Sequence, residues 1–474
     1  MPPPNSALIS YFNLFFISFL LNLMVSDTNC YAHQFLNKNK DKLSPQLRKW
    51  KDVTLIEMRG FLACILNMGI NRKATIASYW STFSSQSTPW FANMFSFHRF
   101  QHIFRFFHLV DSEKCAPPGE LTYDPRIRFQ PLPDHANNIF RHHYTPYEEL
   151  SIDESLVGTK NRTCLMQYLP IKHHHRWGIK FWMLCDSVSN YSLGFFTYRG
   201  ARSPEDKDNI AKCGLGYTVV MRLLKLGNYL QKGYHVFVDN FLMSVPLVKD
   251  LFKLGTYITG TVRRNRKYLP KTCKRKFGIG ETLYCRSGPV LACAYREKKS
   301  QRGPVILLSS KATANSREVE IKRGNTVKLV KKQEVIHSYN KFMGGIDTSD
   351  MMLYAYLDER RTVRYWKKVA FNIIARMVLN SYILYKEHAR GQGKLKSRLR
   401  FIVEIIEHLG GEWLQTKNAS ANDPRGPPGV RKLPDRRESR CCVCTSEGRK
   451  QRSRTICTRC SKGLHGDCYS KHKC

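Results

Sequence analysis

Val236-Phe-Val-Asp-Asn-Phe241 decides the fold of this 474-residue chain. A short apolar run that ends on a carboxylate reads as a buried strand with Asp239 at its tip. Leu150-Ser-Ile-Asp-Glu-Ser155 has the same form and presents Asp153; Glu154 points to the opposite strand face and is not counted with it. Met343-Gly-Gly-Ile-Asp-Thr-Ser-Asp350 is different. Its glycines let the backbone approach a sheet closely, and they open a helical stretch where Asp347 and Asp350 can face one side. Each aspartate alone reads more simply as a cap. Together they occupy two strand ends and a helix, where carboxylates hold a pair of hard divalent ions that activate water or a sugar hydroxyl to attack phosphate. Of Asp347 and Asp350, one is expected to be the third ligand and the other to assist or to bind a positive group.

Outward from these runs the period is that of an α/β sheet. Ser151–Leu156, Gly178–Asp186 and Leu193–Arg199 read as strands, Tyr217–Leu230 as a helix, His235–Asp239 as a fourth strand, Ser244–Lys253 as a helix and Thr256–Val262 as a fifth strand. The order β-β-β-α-β-α-β is the ribonuclease-H plan, in which the first and fourth strands are neighbours. That adjacency brings Asp153 and Asp239 to one end of the sheet. Residues 263–338 read as a basic β insertion, with strand-like pieces at Pro289–Tyr295, Pro304–Ser309 and Val319–Ile321. Upstream, Thr54 and Glu57 form a capping box before a helical run closed at Gly69. Ser96 caps a helix whose aromatic stripe (Phe97, Phe100, Phe104, Phe107) reads as core. A long helix is expected after Asp347, on the face set by Trp366, Ala370, Ile373, Met377 and Leu384. Residues 415–440 read as a linker.

The formal charge of +40 is spread along most of the chain, and such self-repulsion points to a polyanionic partner, nucleic acid. Ala7–Met24 carries no charge, but it lacks a basic leader and is broken by Asn13 and Asn22, so a buried helix is expected rather than a signal or membrane segment. Seven of the 16 cysteines fall in the last 34 residues, and the other nine are scattered as free thiols would be. Cys441/Cys444, Cys457/Cys460, His465/Cys468 and His472/Cys474 make four ligand pairs, enough for two tetrahedral Zn²⁺ ions. Alternating pairing puts the first and third pairs on one ion and the second and fourth on the other; Cys442 is a spare, or a substitute for Cys474. The basic residues between these ligands (Arg449, Arg452, Arg454) suggest DNA as the target. His173-His-His reads as a tract lying along phosphate or capping a hairpin rather than as a metal site. Further DNA contacts are expected from Lys172, Arg176, Lys180, Arg263, Arg264, Arg266, Lys267, Arg360, Arg361 and Arg364.

Taken together, the aspartate motifs, with Tyr339-Asn-Lys-Phe-Met ahead of the third, resemble those of the piggyBac transposase family. Tyr79-Trp-Ser-Thr, Phe97-His-Arg-Phe-Gln, Trp177-Gly-Ile-Lys and Gly260-Thr-Val-Arg-Arg-Asn-Arg also match. The resemblance runs from about residue 10 to the end and is closest to the vertebrate piggyBac-derived protein 4 type. It implies a ribonuclease-H-like DDD core, with Asp153, Asp239 and Asp347 holding two Mg²⁺ and Asp350 as a further acidic residue. It implies cut-and-paste transposition at TTAA targets through hairpinned ends, and a zinc module that recognises transposon ends. The implied domains are 1–148 and 357–414 for helical dimerisation and DNA binding, 149–262 and 339–356 for the core, 263–338 for the insertion, 415–440 for the linker and 441–474 for the zinc module. A nuclear homodimer on double-stranded DNA, without a membrane partner, completes the expectation. The chain departs from the family in its short N-terminal tail, in Met351 and in the spacing of the last two zinc pairs. The rival reading is a transposase-derived host protein that binds DNA and no longer cuts.

Overall fold

The two aspartate-ended runs become neighbouring strands of one large sheet. In the computed structural model its strands are β1 (Glu149–Gly158), β2 (Met166–Tyr168), β3 (Trp177–Asp186), β4 (Ser192–Thr197), β5 (His235–Val238), β6 (Tyr257–Val262), β7 (Thr282–Ser287), β8 (Val290–Tyr295) and β9 (Val305–Ser309). Among the described residues the order is β2-β3-β1-β5-β6-β9-β8-β7, with β4 paired to β3. The structure describes all residues except 4–5, 171–174, 201–206, 324–325, 360–361, 363, 392, 422–428, 434–436, 459 and 473–474. It divides into two units, Met1–Leu409 and Gly410–Cys474.

β5 is buried at all four positions and lies between two parallel neighbours, β1 and β6, which is why it reads as an unbroken apolar run rather than an alternating one. The strands expected first and fourth are adjacent, as the ribonuclease-H plan requires. β7, β8 and β9 continue this same sheet beyond β6, so about half of the strand content of segment 263–338 extends the sheet that carries the aspartates. β10 (Ser316–Arg323) and β11 (Thr326–Gln333) form a separate hairpin.

Helices flank the sheet in sequence. Before it come α1 (Leu8–Phe15), α2 (Ser18–Lys38), α3 (Pro45–Arg48), α4 (Leu55–Ile70), α5 (Pro89–Met94), α6 (Phe97–Phe106) and α7 (Pro131–His143). Within it come α8 (Lys207–Cys213), α9 (Leu215–Gly227) and α10 (Val245–Lys253), then α11 (Glu334–Phe342), α12 (Gly345–Ala355), α13 (Tyr365–His388) and α14 (Arg398–Ala421). The Thr54 and Ser96 hydroxyls accept from Glu57 N and Arg99 N and start α4 and α6 as expected. Phe100 and Phe107 of the aromatic stripe are fully buried, beside Ile103, and Phe97 and Phe104 half-buried, so the stripe packs as core; each fully buried side chain contributes roughly 1.5–3 kcal/mol. Gly69 does not end α4, which runs to Ile70. It is glycine because a Cβ there would stand 2.1 Å from the Tyr356 carbonyl oxygen.

The charge-free N-terminal stretch is two helices bent by 62°, and no single helix among the described residues is long and apolar enough to cross a membrane. The break has a cause in α7. His143 and His135 bring ring nitrogens to the Leu14 and Phe15 carbonyls, at 3.2 and 2.8 Å, and so satisfy the end of α1. Phe12, Phe15, Leu20 and Met24 are buried, and Tyr11 Oη is 2.7 Å from His388 Nδ1 of α13. In the second unit α14 continues to Ala421, so the first residues of the expected linker are helical. There β12 (Val430–Lys432) pairs with β15 (Thr455–Cys457), β13 (Ser439–Arg440) pairs with β14 (Arg452–Ser453), and α15 spans Cys442–Ser446.

Candidate active site and metal centres

β1 and β5 run parallel with Ile152 opposite Val238, so the next residues, Asp153 and Asp239, stand side by side. Asp239 follows the end of β5 as expected, but Asp153 is not at a strand end: it lies within β1, opposite Met183, and the strand runs on to Gly158 because β3 continues to pair with it. Asp239 ends its strand by accepting hydrogen bonds at Oδ1 from Phe241 N (3.0 Å) and Leu242 N (3.1 Å). Asp153 Oδ1 accepts from Glu154 N at 2.8 Å. Asp239 is therefore a turn cap as well as a potential ligand. Burial raises the Asp239 carboxyl above its ordinary range, and the nearby Glu154 charge adds to this; the two backbone N–H groups and Arg263 oppose it.

The third aspartate comes from α12, which lies along β1. A Cβ on Gly345 would stand 2.4 Å from Ser151 Oγ, so glycine permits this approach. Further along, Ser155 Oγ donates to Asp350 Oδ1 at 2.9 Å and Tyr354 Oη donates to the Leu156 carbonyl at 2.6 Å. Asp347, Asp350 and Tyr354 share one helical column. Asp350 is level with Ser155, so Asp347, one turn earlier, is level with Asp153. The ligand oxygens of the three aspartates do not all close to within 4.8 Å of one another, as the cysteine–histidine groups do. Asp347 is exposed and Asp153 and Asp239 are half-buried, so the donor set is hard oxygen open to solvent and substrate, which suits Mg²⁺.

Two side chains not named as site residues from sequence belong here. Tyr339 of α11 is half-buried, with its hydroxyl 3.3 Å from Thr261 Oγ1. Burial and the charges of Asp239 and Asp153 raise its phenol, which places it beside both carboxylates. Its signal was present, since it heads the motif that ends in Asp347. Arg376 of α13 holds Asp350 Oδ1 at 2.7 Å; nothing near it in sequence announces this. Asp350 thus meets a positive group, one of the two roles left open for it.

The expected DNA contacts divide. Arg176, Arg263, Arg264, Lys267 and Arg364 are exposed. Arg263 sits at the rim of the triad, its Nε donating to Asn240 Oδ1 at 3.1 Å. Arg266 donates to the Phe241 carbonyl and Arg264 to the Lys274 carbonyl. Lys180 is a correction: it is 8% exposed, 3.8 Å from Glu154 Oε2 and 3.6 Å from the Trp182 ring centroid. Its ammonium is a buried partner of the sheet face that Glu154 occupies, not a surface contact. Lys172, Arg360, Arg361, His173 and His174 lie outside the described residues.

In the second unit Cys441, Cys444, His465 and Cys468 bring their ligand atoms within 4.8 Å, and so do Cys457, Cys460 and His472. The alternating pairing is what the spacing predicted, and soft sulfur with imidazole suits Zn²⁺. His465 Nδ1 is 3.4 Å from Cys444 Sγ, and its Nε2 is 3.0 Å from the Arg452 carbonyl, an outer partner that orients the ring. Burial opposes ionisation of Cys441, but backbone N–H groups of Cys444 and His465 bring its thiol down to about 6. Cys474 lies outside the described residues, whereas Cys442 Sγ is 3.4 Å from His472 Nδ1 and Cys460 Sγ is 3.2 Å from Nε2. Arg449 pairs with Glu447, Arg454 Nε is 3.1 Å from Glu438, and Arg452 is exposed.

Comparison with known proteins agrees with this geometry. The Transposase IS4 family matches residues 9–382. Human piggyBac transposable element-derived protein 5 is 23% identical over 428 residues, covering 86% of this chain and 76% of that protein. The human proteins 3 and 2 of that series are 22% and 24% identical, covering 78% and 80% of this chain; the chain spans 62% and 61% of their lengths. A piggyBac transposase solved by cryo-EM as a synaptic complex with hairpin DNA shares the fold, with a TM-score of 0.73 at 22% identity over 98% of this chain and 95% of that one. The chain belongs to the Transposase IS4 family, of the DDE class, and shares the fold of the piggyBac transposase.

Proposed function

We propose that this chain is a DNA transposase that cuts and joins strands at transposon ends and TTAA targets, in the nucleus, as a homodimer on double-stranded DNA. The observation that carries the reading is the parallel register of Ile152 with Val238, which sets Asp153 beside Asp239, while the Gly345–Ser151 and Asp350–Ser155 approaches lay the helix of Asp347 along the same strand. Two Mg²⁺ bound there would supply an activated hydroxyl nucleophile and stabilise the leaving oxygen of an in-line attack on phosphate. The protein's own part is to orient and exclude. β1 and β5 fix two carboxylates on a rigid sheet, α12 brings the third, and Tyr339 walls the site beside Thr261. Arg263, exposed beside Asp239, is placed to meet the phosphate. The family domain plan fits these elements, with 1–148 and 357–414 as the helical dimerisation and DNA-binding part and 441–474 as the zinc module for end recognition. Within the family, the motif resemblance favours the protein 4 type.

The second reading, a derived protein that binds DNA without cutting, is favoured by the names of the human relatives, each called transposable element-derived. One experiment separates the two. A duplex carrying the gene's own flanks is incubated with purified chain and Mg²⁺. Strand cleavage at the end that disappears in D239A supports the transposase, while equal binding by both proteins and cleavage by neither supports the second reading.

A further inference from the structure

Asp350 stands three residues beyond Asp347 in α12, but its carboxylate is engaged from inside the fold. Arg376 Nη2 lies 2.7 Å from Oδ1, and Ser155 Oγ donates to the same oxygen at 2.9 Å. The guanidinium reaches further: Nη2 donates to Ser155 Oγ at 3.3 Å, and Nη1 donates to Ser192 Oγ at 3.3 Å and Ser349 Oγ at 3.4 Å. The Arg376 side chain is 3% exposed and that of Asp350 13%. One turn along α13, Asn380 accepts from Ser192 N at 3.0 Å and donates to Ser192 O at 2.8 Å. A single buried cation thus joins β1, β4, α12 and α13.

Two of its anchors lie close to the triad along the chain. Ser155 is two residues from Asp153, on the same face of β1. Asp350 is one turn from Asp347 on the same helical column. We propose that Arg376 is a positioning residue that locks the register of α12 against β1, and so sets where Asp347 stands relative to Asp153, with Asp350 as its counter-ion rather than an ion ligand. The physical reason is the cost of letting go. If α12 slides, a guanidinium with five donors is left buried without its carboxylate, which is far more unfavourable than losing an apolar contact. Arginine suits the position because its planar fork can reach one carboxylate and three hydroxyls together, which a lysine ammonium cannot do.

This inference rests on the triad being a divalent-ion site, and its test keeps the two apart. Mn²⁺ binding to the full-length, zinc-loaded chain is measured by the loss of the free-ion EPR signal, alongside thermal melts of the same samples. Wild type is expected to bind Mn²⁺ and D239A to lose that binding; if wild type takes up none, the reading of the site itself fails. For Arg376→Lys the expectation is Mn²⁺ binding weaker by about tenfold or more, the scale on which outer partners of metal ligands act, with the folded state retained. Asp350→Asn should weaken binding to a similar degree without changing the number of ions bound, and the double variant should be no worse than the weaker single, because both remove one linkage. Ser349→Ala removes one hydroxyl and no charge, so it should fold even if Arg376→Lys does not, and it should weaken binding by about two- to threefold, near the low end of a single hydrogen bond. Unchanged Mn²⁺ affinity in folded Arg376→Lys or Ser349→Ala overturns the proposal, since a purely structural bridge lowers the melt alone. A drop in Mn²⁺ stoichiometry in Asp350→Asn also overturns it, by making Asp350 a ligand.

Discussion

The sheet that carries the aspartates and the small C-terminal unit hold their ligands by opposite means. Around Asp153 and Asp239, Leu150, Ile152, Val236, Phe237 and Val238 are each 0% exposed, so the strands are fixed by apolar burial and the carboxylates ride on them. In the C-terminal unit the buried cluster is Cys441, Val443, Cys444, Cys457 and Leu464, and three of its five members belong to the candidate metal groups. Remove the ions and the sheet keeps its core, while the small unit loses most of what it packs around. The first arrangement presents hard, half-exposed oxygens on a rigid sheet. The second gathers soft sulfur and imidazole, the donor set of a structural zinc site. A catalytic ion can come and go on a preformed scaffold, whereas a structural ion is part of the folding free energy.

The comparison breaks most visibly at the triad. Asp153→Ala, Asp239→Ala or Asp347→Ala should each lower strand cleavage by about a thousandfold or more, since catalytic residues that act as a unit fail together. End-DNA binding, measured by gel shift, should stay near wild type. Next in size is the zinc unit. Cys460→Ser should lower zinc content, read by mass spectrometry, from two ions to one and unfold the unit locally, with cleavage by the core on pre-nicked ends retained. Retention of both ions would mean that the second group is not a metal centre. Gly345→Val is smaller. Its side chain must displace Ser151 Oγ and crowd Ser187 Cα, 3.3 Å from the ideal Cβ. Overpacking of this kind costs about 1–3 kcal/mol in a urea melt. An unchanged midpoint would show that α12 does not lie on β1 as described.

The smallest expected effect is a pH slope. Lys367 of α13 donates to the Phe104 and Arg105 carbonyls at the end of α6, and burial, with Arg364 and Arg105 nearby, lowers its ammonium from 10.5 to about 7. The unfolded chain then binds more protons than the folded one between about pH 7 and 10.5, so stability contributed by this residue rises with pH across that window and is lost toward pH 7. Melts of wild type and Lys367→Met between pH 7 and 9 should differ in slope, with the wild type steeper. Parallel curves would remove Lys367 from the account.

Much of the sheet was legible because its signals are local. Val236–Asp239 is an apolar run cut off by a carboxylate, and Gly345 marks a close approach that the Cβ geometry confirms. The zinc pairing was legible because Cys-x-x-Cys spacing is itself a geometric statement. What stayed hidden depends on distant partners. Arg376 and Asn380 sit inside an apolar-periodic helix, and their meaning comes from Ser155, Ser192, Ser349 and Asp350. Lys180 looked like a basic surface residue, and only the packing of Trp182 and Phe241 around β3 buries it. The break between α1 and α2 is made by His135 and His143, more than 100 positions away. β2, β7 and β11 escaped notice because they are short or rich in polar residues, so neither alternation nor a continuous apolar run announces them.

Hydrogen exchange on the wild-type chain, before and after stripping every metal with strong chelators, tests the difference between the two regions most directly. The account predicts unchanged protection over Glu149–Gly158, His235–Val238 and Gly345–Ala355, with protection lost across 441–472. Loss in both regions would contradict a preformed catalytic scaffold, and protection kept in both would contradict a zinc-built module.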